Sequence, residues 1–268
     1  AQRSGWLRRG QFRTIIVSDV LKDRLSGRQL LLTGAASGIG RRCLELALAD
    51  GADCAAIVRD ATEAQRLGGL LPAERCQTQD LKQSAAVSSA TAAALASLPG
   101  PVDACLCCAG IFEHRAGLDT ELDDFQRVLD VNLTAAFITA RDCARVMAGR
   151  GYGSIVLVSS QIGLIGHPRA AAYAASKSAL NGLVRSLAIE LAPQNVRVNA
   201  VAPGPIATPM TEAARNDSER AAGLLASIPL GRYGEAGEVA AAARFLLSDA
   251  AAFITGQVLC VDGGVTAA

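Results

Sequence analysis

Short apolar runs alternate with longer stretches of mixed composition along the chain from residue 28 onward. The mixed stretches, such as RRCLELALAD and QSAAVSSATAAALASL, have the composition of helices. Apolar strands separated by helices are typical of a parallel sheet with crossover connections. We therefore predict the α/β class, as a doubly wound, Rossmann-type parallel sheet with helices on both faces. About seven strands are expected, over QLLLTG (29–34), DCAAIV (53–58), ERCQTQ (74–79), VDACLCC (102–108), SIVLVSS (154–160), VRVNAVA (196–202) and QVLCVD (257–262).

The domain organisation follows from the continuity of this pattern. No linker-like composition and no internal repeat divides it, so residues 26–268 are predicted to form a single domain. Residues 1–25 are predicted to be an N-terminal extension or arm. Four arginines and no acidic residue occur among the first thirteen residues, which is also a feature of transit peptides, but nothing else there indicates a targeting signal.

Composition and charge restrict the classes of molecule that the protein is expected to bind. Half of the residues are apolar and only 19% are charged, which favours a large buried core. The 26 basic and 25 acidic residues nearly cancel, so no net field attracts a nucleic acid or an anionic membrane. No apolar run reaches the roughly 18 residues that a bilayer span requires. We expect a small-molecule partner, no nucleic acid and no membrane.

Eight cysteines raise the alternatives of a metal site or disulfides. No CxxC pair occurs, and neither histidine stands at zinc-ligand spacing from two cysteines. Cys105 and Cys107 are expected on one face of a buried strand, where small apolar side chains are common. We predict reduced, structural cysteines and no metal. Reduced thiols in turn favour a cytoplasmic location.

A glycine-rich turn connects the first predicted strand to the first helix. Gly34 permits a tight turn, Gly38 lets the backbone approach a pyrophosphate, and Gly40 allows helix and strand to pack closely. The helix start, which includes Ser37 and Ile39, offers free N–H groups and a partial positive charge to phosphates. We predict that this turn binds a dinucleotide. Its spacing, TGxxxGxG, resembles that of the short-chain dehydrogenase/reductase family.

The end of the second strand bears on the choice between NADP(H) and NAD(H). An acidic residue there would accept hydrogen bonds from the ribose 2′-hydroxyl, as in NAD-preferring members of the family, and the matching position is Val58. Arg59 falls where NADP-preferring members often carry arginine, and a guanidinium suits a phosphate in charge and geometry. The resemblance favours NADP(H) over NAD(H). The alternative is that Arg59 is a solvated loop residue paired with Asp60.

Four residues form the candidate catalytic group. Tyr173 and Lys177 are four apart in a predicted helix, so both can face one pocket, where the ammonium is expected to lower the pKa of the phenol. Ser160 ends a predicted strand and so lies at the crevice where such sheets bind ligands. Asn132, alone in a helix, would ordinarily be exposed or bond locally. Together, Asn132, Ser160, Tyr173 and Lys177 resemble the family's catalytic tetrad in order and spacing.

The resemblance, over about residues 26–264, implies further contacts. Lys177 would bind the nicotinamide ribose, and Asn132 would support a water-linked proton relay. The last strand would contribute to the interface of a homo-oligomer, a tetramer or dimer. The chain departs from the family at Cys107-Cys108-Ala109-Gly110, where relatives read NNAG. Other cofactor contacts are expected at Asp80 and Leu81 for the adenine, Ala109 and Gly110 after the fourth strand, and Pro203, Gly204, Ile206 and Thr208 beside the nicotinamide.

The residues and the resemblance together predict an NAD(P)-dependent short-chain dehydrogenase/reductase, more specifically an oxidoreductase that transfers hydride between NADP(H) and a carbonyl or secondary alcohol, with Tyr173 as general acid/base. The alternatives are an NAD(H)-linked alcohol dehydrogenase of the same fold and a non-catalytic nucleotide-sensing protein. The segment GRYGEAGEVAAAARFLLSDAAAFITG is similar to that of 3-oxoacyl-carrier-protein reductases, although Gln194 stands where some of them carry arginine. A largely apolar substrate pocket with few fixed charges is expected, formed by a lid over 208–228 together with Ile162, Leu164 and His167.

Overall fold

The structure is a computed structural model that describes residues 25–268. The predicted arm, residues 1–25, lies outside the described residues except for Leu25, which is buried in the core. The division of the chain into an arm and one catalytic domain therefore stays a prediction.

The central sheet contains seven parallel strands, which confirms the predicted fold class. The strands are β1 (Gln29–Thr33), β2 (Asp53–Val58), β3 (Cys76–Thr78), β4 (Ala104–Cys107), β5 (Gly153–Val158), β6 (Val196–Pro203) and β9 (Val258–Val261), with a separate pair of two-residue strands, β7 (Ile206–Ala207) and β8 (Gly234–Glu235). The order across the central sheet is β3-β2-β1-β4-β5-β6-β9. Strand β3 is shorter than predicted because residues 73–75 form a 3₁₀ turn before it.

Helices cover both faces of the sheet. They are α1 (Gly38–Ala49), α2 (Ala61–Arg66), α3 (Ser84–Ala96), α4 (Leu122–Leu129), α5 (Ala135–Arg150), α6 (Ala171–Leu191), α7 (Glu212–Asn216), α8 (Ser218–Ala226) and α9 (Ala236–Leu247). One core cluster packs α1 and α9 against the sheet, and a second packs α3, α5 and α6 against the opposite face. A π-helical turn, Asp130–Thr134, joins α4 to α5.

The strand order positions the functional site. Strand β1 pairs with β2 on one side and with β4 on the other. The chain therefore builds the sheet outward from β1 in one direction, through β2 and β3, and then in the opposite direction from β4 onward. Ligands of open α/β sheets bind in the crevice that such a reversal opens at the carboxyl ends of the strands. The segments that follow β1, β2, β4, β5 and β6 all reach this edge.

The cysteines are free thiols, all eight lying within the described residues. The predicted common face of Cys105 and Cys107 is confirmed, since their Sγ atoms are 3.9 Å apart in the core. Among residues 25–268, no three His, Cys, Asp or Glu side chains converge as a metal ion would require. Within the same range, no helix is both long enough and apolar enough to cross a membrane.

Candidate active site

A cleft of about 480 Å³ runs along the carboxyl edge of the sheet. Its β2 end is bordered by Arg59, Glu63 and Asp80, and its β5 end by Ser160 and Tyr173. Asn132 does not line the cleft but lies buried behind Gly110, which does. The predicted site residues that line the cleft are Gly34, Ser37, Gly38, Ile39, Gly40, Arg59, Asp80, Leu81, Ala109, Gly110, Ser160, Tyr173, Lys177, Pro203, Gly204, Ile206 and Thr208.

The glycine turn is built for close backbone approach. Gly34 has a φ of +71°, and a Cβ there would lie 2.7 Å from the backbone nitrogen of Ala109. At Gly40 a Cβ would lie 2.1 Å from the carbonyl oxygen of Gly34, so helix α1 can meet the turn only without a side chain. The N-terminal N–H groups of α1 face an open cleft beside Ser37. A pyrophosphate fits this cradle, because helix N-termini bind anions.

Arg59 lies at the β2 end of the cleft. It lies where a cofactor could reach it, and it is also paired with Asp60, the alternative considered from the sequence. It lines the cleft, and it pairs with Asp60 at 2.8 Å and with Glu63 at 3.3 Å. Its side chain is 60% exposed, so these surface ion pairs are weak and exchangeable. The hydrogen bond from Arg59 lowers the pKa of Asp60. The guanidinium can therefore turn toward a phosphate at little cost.

Cys107 and Cys108 stand where the resemblance would predict two asparagines. The backbone that follows β4 is hydrogen-bonded to Thr33 instead. Its Oγ1 accepts hydrogen bonds from the backbone N–H groups of Cys108 and Ala109, both at 3.2 Å. Burial raises the pKa of the Cys108 thiol to about 12, so it remains a neutral group on the cleft wall. The departure from NNAG thus leaves the backbone of this wall hydrogen-bonded.

Tyr173 and Lys177 project from the first turns of α6 into the cleft. Tyr173 is 9% exposed and Lys177 is 3% exposed. The Lys177 Nζ lies 5.5 Å from the centroid of the phenol ring and donates a 2.8 Å hydrogen bond to the carbonyl oxygen of Val158. The ring of Phe112 packs edge-on against Tyr173, with centroids 5.0 Å apart. The helix therefore presents phenol and ammonium on one face.

The expected direction of the Tyr173 pKa shift is wrong. Burial raises the pKa of Tyr173 to about 12, although a hydrogen bond with Ser160 acts in the opposite direction. Burial also lowers the pKa of Lys177 to about 8. Desolvation penalises the charged form of both groups and is the largest cause of each shift in pKa.

Ser160 and Asn132 support this pair from two other elements. Ser160 follows β5, and its Oγ accepts a 3.1 Å hydrogen bond from the N–H of Ile162. Asn132 is fully buried in the π-helical turn and does not bond locally as a lone helical asparagine usually does. Its side chain accepts a 2.8 Å hydrogen bond from the N–H of Ile111 and donates to the carbonyl oxygen of Ile111 and to Ser176 Oγ, at 2.9 and 3.1 Å.

Several residues of the cleft were not predicted from the sequence. Phe112, His114, Gln161 and Arg220 all line its β5 end. Gln161 directly follows Ser160, so its place at a strand end was a usable signal; the other three lie on loops and a lid helix with no pattern of their own. Ile162 and His167 line the cleft as expected, but Leu164 does not. Of the apolar residues in the expected lid over 208–228, Met210 and Leu224 line the cleft and Leu225 does not.

The expected pocket with few fixed charges therefore needs a correction. Arg220 from α8 joins His114 and His167 at the opening, and Lys177 lies deeper in the cleft. The interior remains largely apolar, but its opening carries basic groups. The segments that supply them are far apart in the sequence.

Comparisons with known proteins show which proteins this chain is similar to. A family model described as enoyl-(acyl carrier protein) reductase matches residues 34–266. A galactitol 2-dehydrogenase (L-tagatose-forming) of Cereibacter sphaeroides is 40% identical over 249 residues, which cover 91% of this chain and 96% of that protein. A 3-oxoacyl-[acyl-carrier-protein] reductase of Rickettsia prowazekii is 36% identical over 245 residues, covering 90% of this chain and 98% of that protein.

A solved structure gives the same picture. The crystal structure of a proposed NAD(P)-dependent gluconate 5-dehydrogenase from Beutenbergia cavernae, with NADP bound at low occupancy, superposes with a TM-score of 0.86. It is 36% identical, and the match covers 92% of this chain and all of that one. The similarity thus extends over nearly the whole of each chain.

Proposed function

The chain belongs to the short-chain dehydrogenase/reductase family and is an NAD(P)-dependent enzyme, and on that premise we propose that it transfers hydride between NADP(H) and a carbonyl or secondary alcohol. Tyr173 acts as the general acid/base. The observation that carries the proposal is the convergence of Ser160, Tyr173 and Lys177 in one cleft beside the glycine turn. A non-catalytic nucleotide sensor would have no use for a buried phenol and ammonium at this place.

The dinucleotide would supply or accept the hydride, and the chain would hold it along the cleft. The glycine turn and the start of α1 would bind its pyrophosphate, and Lys177 would bind the ribose next to the nicotinamide. Arg59 would meet the 2′-phosphate of NADP(H). The remaining contacts would come from Asp80 and Leu81 at the adenine, from Ala109 and Gly110, and from Pro203, Gly204, Ile206 and Thr208 at the nicotinamide.

Residues of the chain manage the proton. In reduction, the Tyr173 hydroxyl donates its proton to the substrate oxygen, and Ser160 donates a hydrogen bond to the same oxygen as negative charge develops there. A pKa raised to about 12 keeps this phenol protonated at neutral pH, which suits an acid. In oxidation the same group, as the phenolate, accepts the proton of the substrate hydroxyl. Asn132 is a positioning residue that holds Ile111 for a water-linked relay.

The role of Tyr173 is tested by Tyr173→Phe. We expect NADPH oxidation with a panel of ketones to fall by about a thousandfold or more, because the proton donor is lost. NADPH affinity, measured by fluorescence titration, should stay within a few-fold. Tyr152→Phe is the matched control, since Tyr152 bonds Asp249 outside the cleft. Unchanged turnover in Tyr173→Phe would refute the proposal.

The preference for NADP(H) is tested by paired titrations with NADPH and NADH. Arg59→Ala should weaken NADPH binding by about ten- to hundredfold, because a charge-assisted contact is lost, and should leave NADH binding nearly unchanged. Arg66→Ala, at the end of α2, is the matched control. Equal loss for both cofactors, or tighter binding of NADH to the wild type, would favour an NAD(H)-linked dehydrogenase.

Two broader assignments belong to the proposal. The free thiols of all eight cysteines, each within the described residues, are consistent with a reducing cytoplasm. We also propose a homo-oligomer, a tetramer or dimer, in which β9 lies at an interface. The relatives act on a sugar alcohol and on an acyl-carrier thioester by name, so the substrate must be sought in the chemistry of this cleft.

A further inference from the structure

We propose that the substrate is a hydroxylated anion, whose carboxylate or phosphate binds the basic groups at the opening of the cleft and whose hydroxyl donates to Gln161. The inference rests on the proposed function, since it concerns the molecule that is oxidised or reduced beside Tyr173. It assigns Arg220 and Gln161 as residues that determine specificity.

The basic groups come from three separate segments. His114 follows β4, His167 and Arg169 follow β5, and Arg220 lies in the first turn of α8. An isolated bridge between Arg115 and Ala170, with a 2.9 Å hydrogen bond from the Arg115 N–H to the Arg169 carbonyl oxygen, clamps the first two segments together. His114, His167 and Arg220 line the cleft, and Arg169, two residues after His167, lies outside its lining but acts on His114 electrostatically. We call these four groups the basic collar.

The other members of the basic collar interact electrostatically with His114. Burial, and then the positive charges of Arg220, Arg169 and His167, lower the pKa of His114. Like charges held together without a counter-ion raise the free energy of the site, and an anion relieves that repulsion. Arg169 also has a φ of +59°, a conformation that a residue with a side chain rarely adopts.

The neighbouring acids are engaged elsewhere. Glu113 and Asp124 pair with Arg127, and Asp124 also pairs with Arg115. Asp217 accepts the backbone N–H of Arg220 as the cap of α8. Among the described residues, neither Arg169 nor Arg220 has an acidic ion-pair partner. The acidic side chains that line the described cleft, Glu63 and Asp80, both lie at its β2 end, across β1 and β4 from the collar.

Gln161 supplies an independent observation. Its side chain lines the cleft next to Ser160 and is only 7% exposed. Its Oε1 is buried and has no hydrogen-bond donor among the described residues. A buried acceptor without a donor is costly, and a substrate hydroxyl placed beside the reacting carbon would satisfy it. An acyl chain would leave it unsatisfied, which argues against a 3-oxoacyl substrate.

The test by turnover compares ketones that differ in one feature. The probes are D-fructose (neutral and hydroxylated), 5-keto-D-gluconate and D-fructose 6-phosphate (hydroxylated anions), levulinate (an anion without hydroxyls) and the S-acetoacetyl thioester of N-acetylcysteamine (neutral acyl). We expect kcat/KM for one hydroxylated anion to exceed that for D-fructose by about tenfold or more, and the better of the two distinguishes a carboxylate from a phosphate. Highest kcat/KM for the thioester or for D-fructose would overturn the inference.

Two variants locate the effect. Arg220→Gln should raise KM for the preferred anion by about tenfold or more, with little change in kcat, and should leave D-fructose and NADPH binding unchanged. Gln161→Leu should lower kcat/KM for the hydroxylated anion but not for levulinate. Arg185→Gln, at an exposed position of α6, is the matched control. Equal effects on charged and neutral ketones would contradict the assignment.

A binding measurement separates failure of this inference from failure of the proposed function. His114 and His167 are the only histidines in the sequence, so both histidine signals in a proton NMR titration report on the collar. Binding of D-gluconate or D-glucitol 6-phosphate should raise the pKa of His114, and neutral D-glucitol should not. No shift with either anion would overturn the inference whatever the enzyme turns over; a shift without any ketone turnover would leave the basic collar as an anion-binding site, but would refute the proposed function and with it the assignment of the anion as substrate.

Discussion

Lys177 shows how burial sets the chemistry of a single residue. Its ammonium lies in the protein interior with the carbonyl oxygen of Val158 as its acceptor. Desolvation lowers its pKa from 10.5 to about 8, which means that the folded protein holds this charge at a cost. A group that the proposed reaction needs is therefore one that destabilises the fold at neutral pH, as active-site groups often do.

Replacing this charge should stabilise the protein. We expect Lys177→Met to raise the free energy of unfolding at about pH 7, by an amount on the order of 2 kcal/mol, and to abolish turnover. Between about pH 8 and 10.5 the unfolded wild type binds more protons than the folded one, so wild-type stability rises with pH and the advantage of the variant shrinks. Thermal unfolding at several pH values measures both.

The exposed Lys82 provides the control for this prediction. It lies on the surface beside Asp80, so Lys82→Met should change stability little at any pH in this range. A Lys177→Met protein that unfolds at a lower temperature than wild type at neutral pH would show that the buried Lys177 ammonium does not destabilise the folded protein.

At the scale of elements, the junction of β1 and α1 depends on the lack of a side chain at one helical position. The glycine at position 40 sits in the first turn of α1, directly over the turn that follows β1. The π-helical turn at 130–134 has a comparable role, because the extra residue in that turn places Asn132 behind the cleft. In both cases a local irregularity of a helix positions the site.

The substitution Gly40→Ala should force the turn and α1 apart. Its Cβ would lie 2.1 Å from the Gly34 carbonyl oxygen, so we expect a destabilisation of about 1–3 kcal/mol and the loss of most NADPH affinity. Gly182→Ala, in an exposed part of α6 with no atom within 4 Å of the new Cβ, should instead stabilise by about 0.5–1 kcal/mol. Urea unfolding and NADPH titration measure the two effects; similar results for both variants would contradict the prediction.

At the scale of the whole molecule, the β9 side of the sheet carries apolar side chains that no other described residue covers. Strand β9 is the last strand of the sheet within the described residues. Leu259 in β9 is partly exposed, and Phe253, which precedes it, is fully exposed. Apolar surface beside a sheet edge marks an interaction site, which agrees with the proposed homo-oligomer.

A charge at this surface should shift the equilibrium from the proposed homo-oligomer toward smaller species. We expect Phe253→Asp to lower the molar mass measured by size-exclusion chromatography with light scattering, because an exposed aromatic anchor is replaced by a carboxylate that must be desolvated. Circular dichroism should show an intact fold. An unchanged molar mass would place the interface, if one forms, away from Phe253.

The sequence by itself determined the sheet, its seven strands and the glycine turn, because strand and helix periodicity and the requirement for glycine are local properties. It also indicated which residues would meet at the cleft, since strand ends share one edge and residues four apart share one helix face. Only the tertiary structure decided the direction of the Tyr173 pKa shift, the presence of His114 and Arg220 in one cleft, and the lack of a hydrogen-bond donor for Gln161 Oε1. Burial and the distance between remote segments depend on packing, and packing has no local signature in the chain.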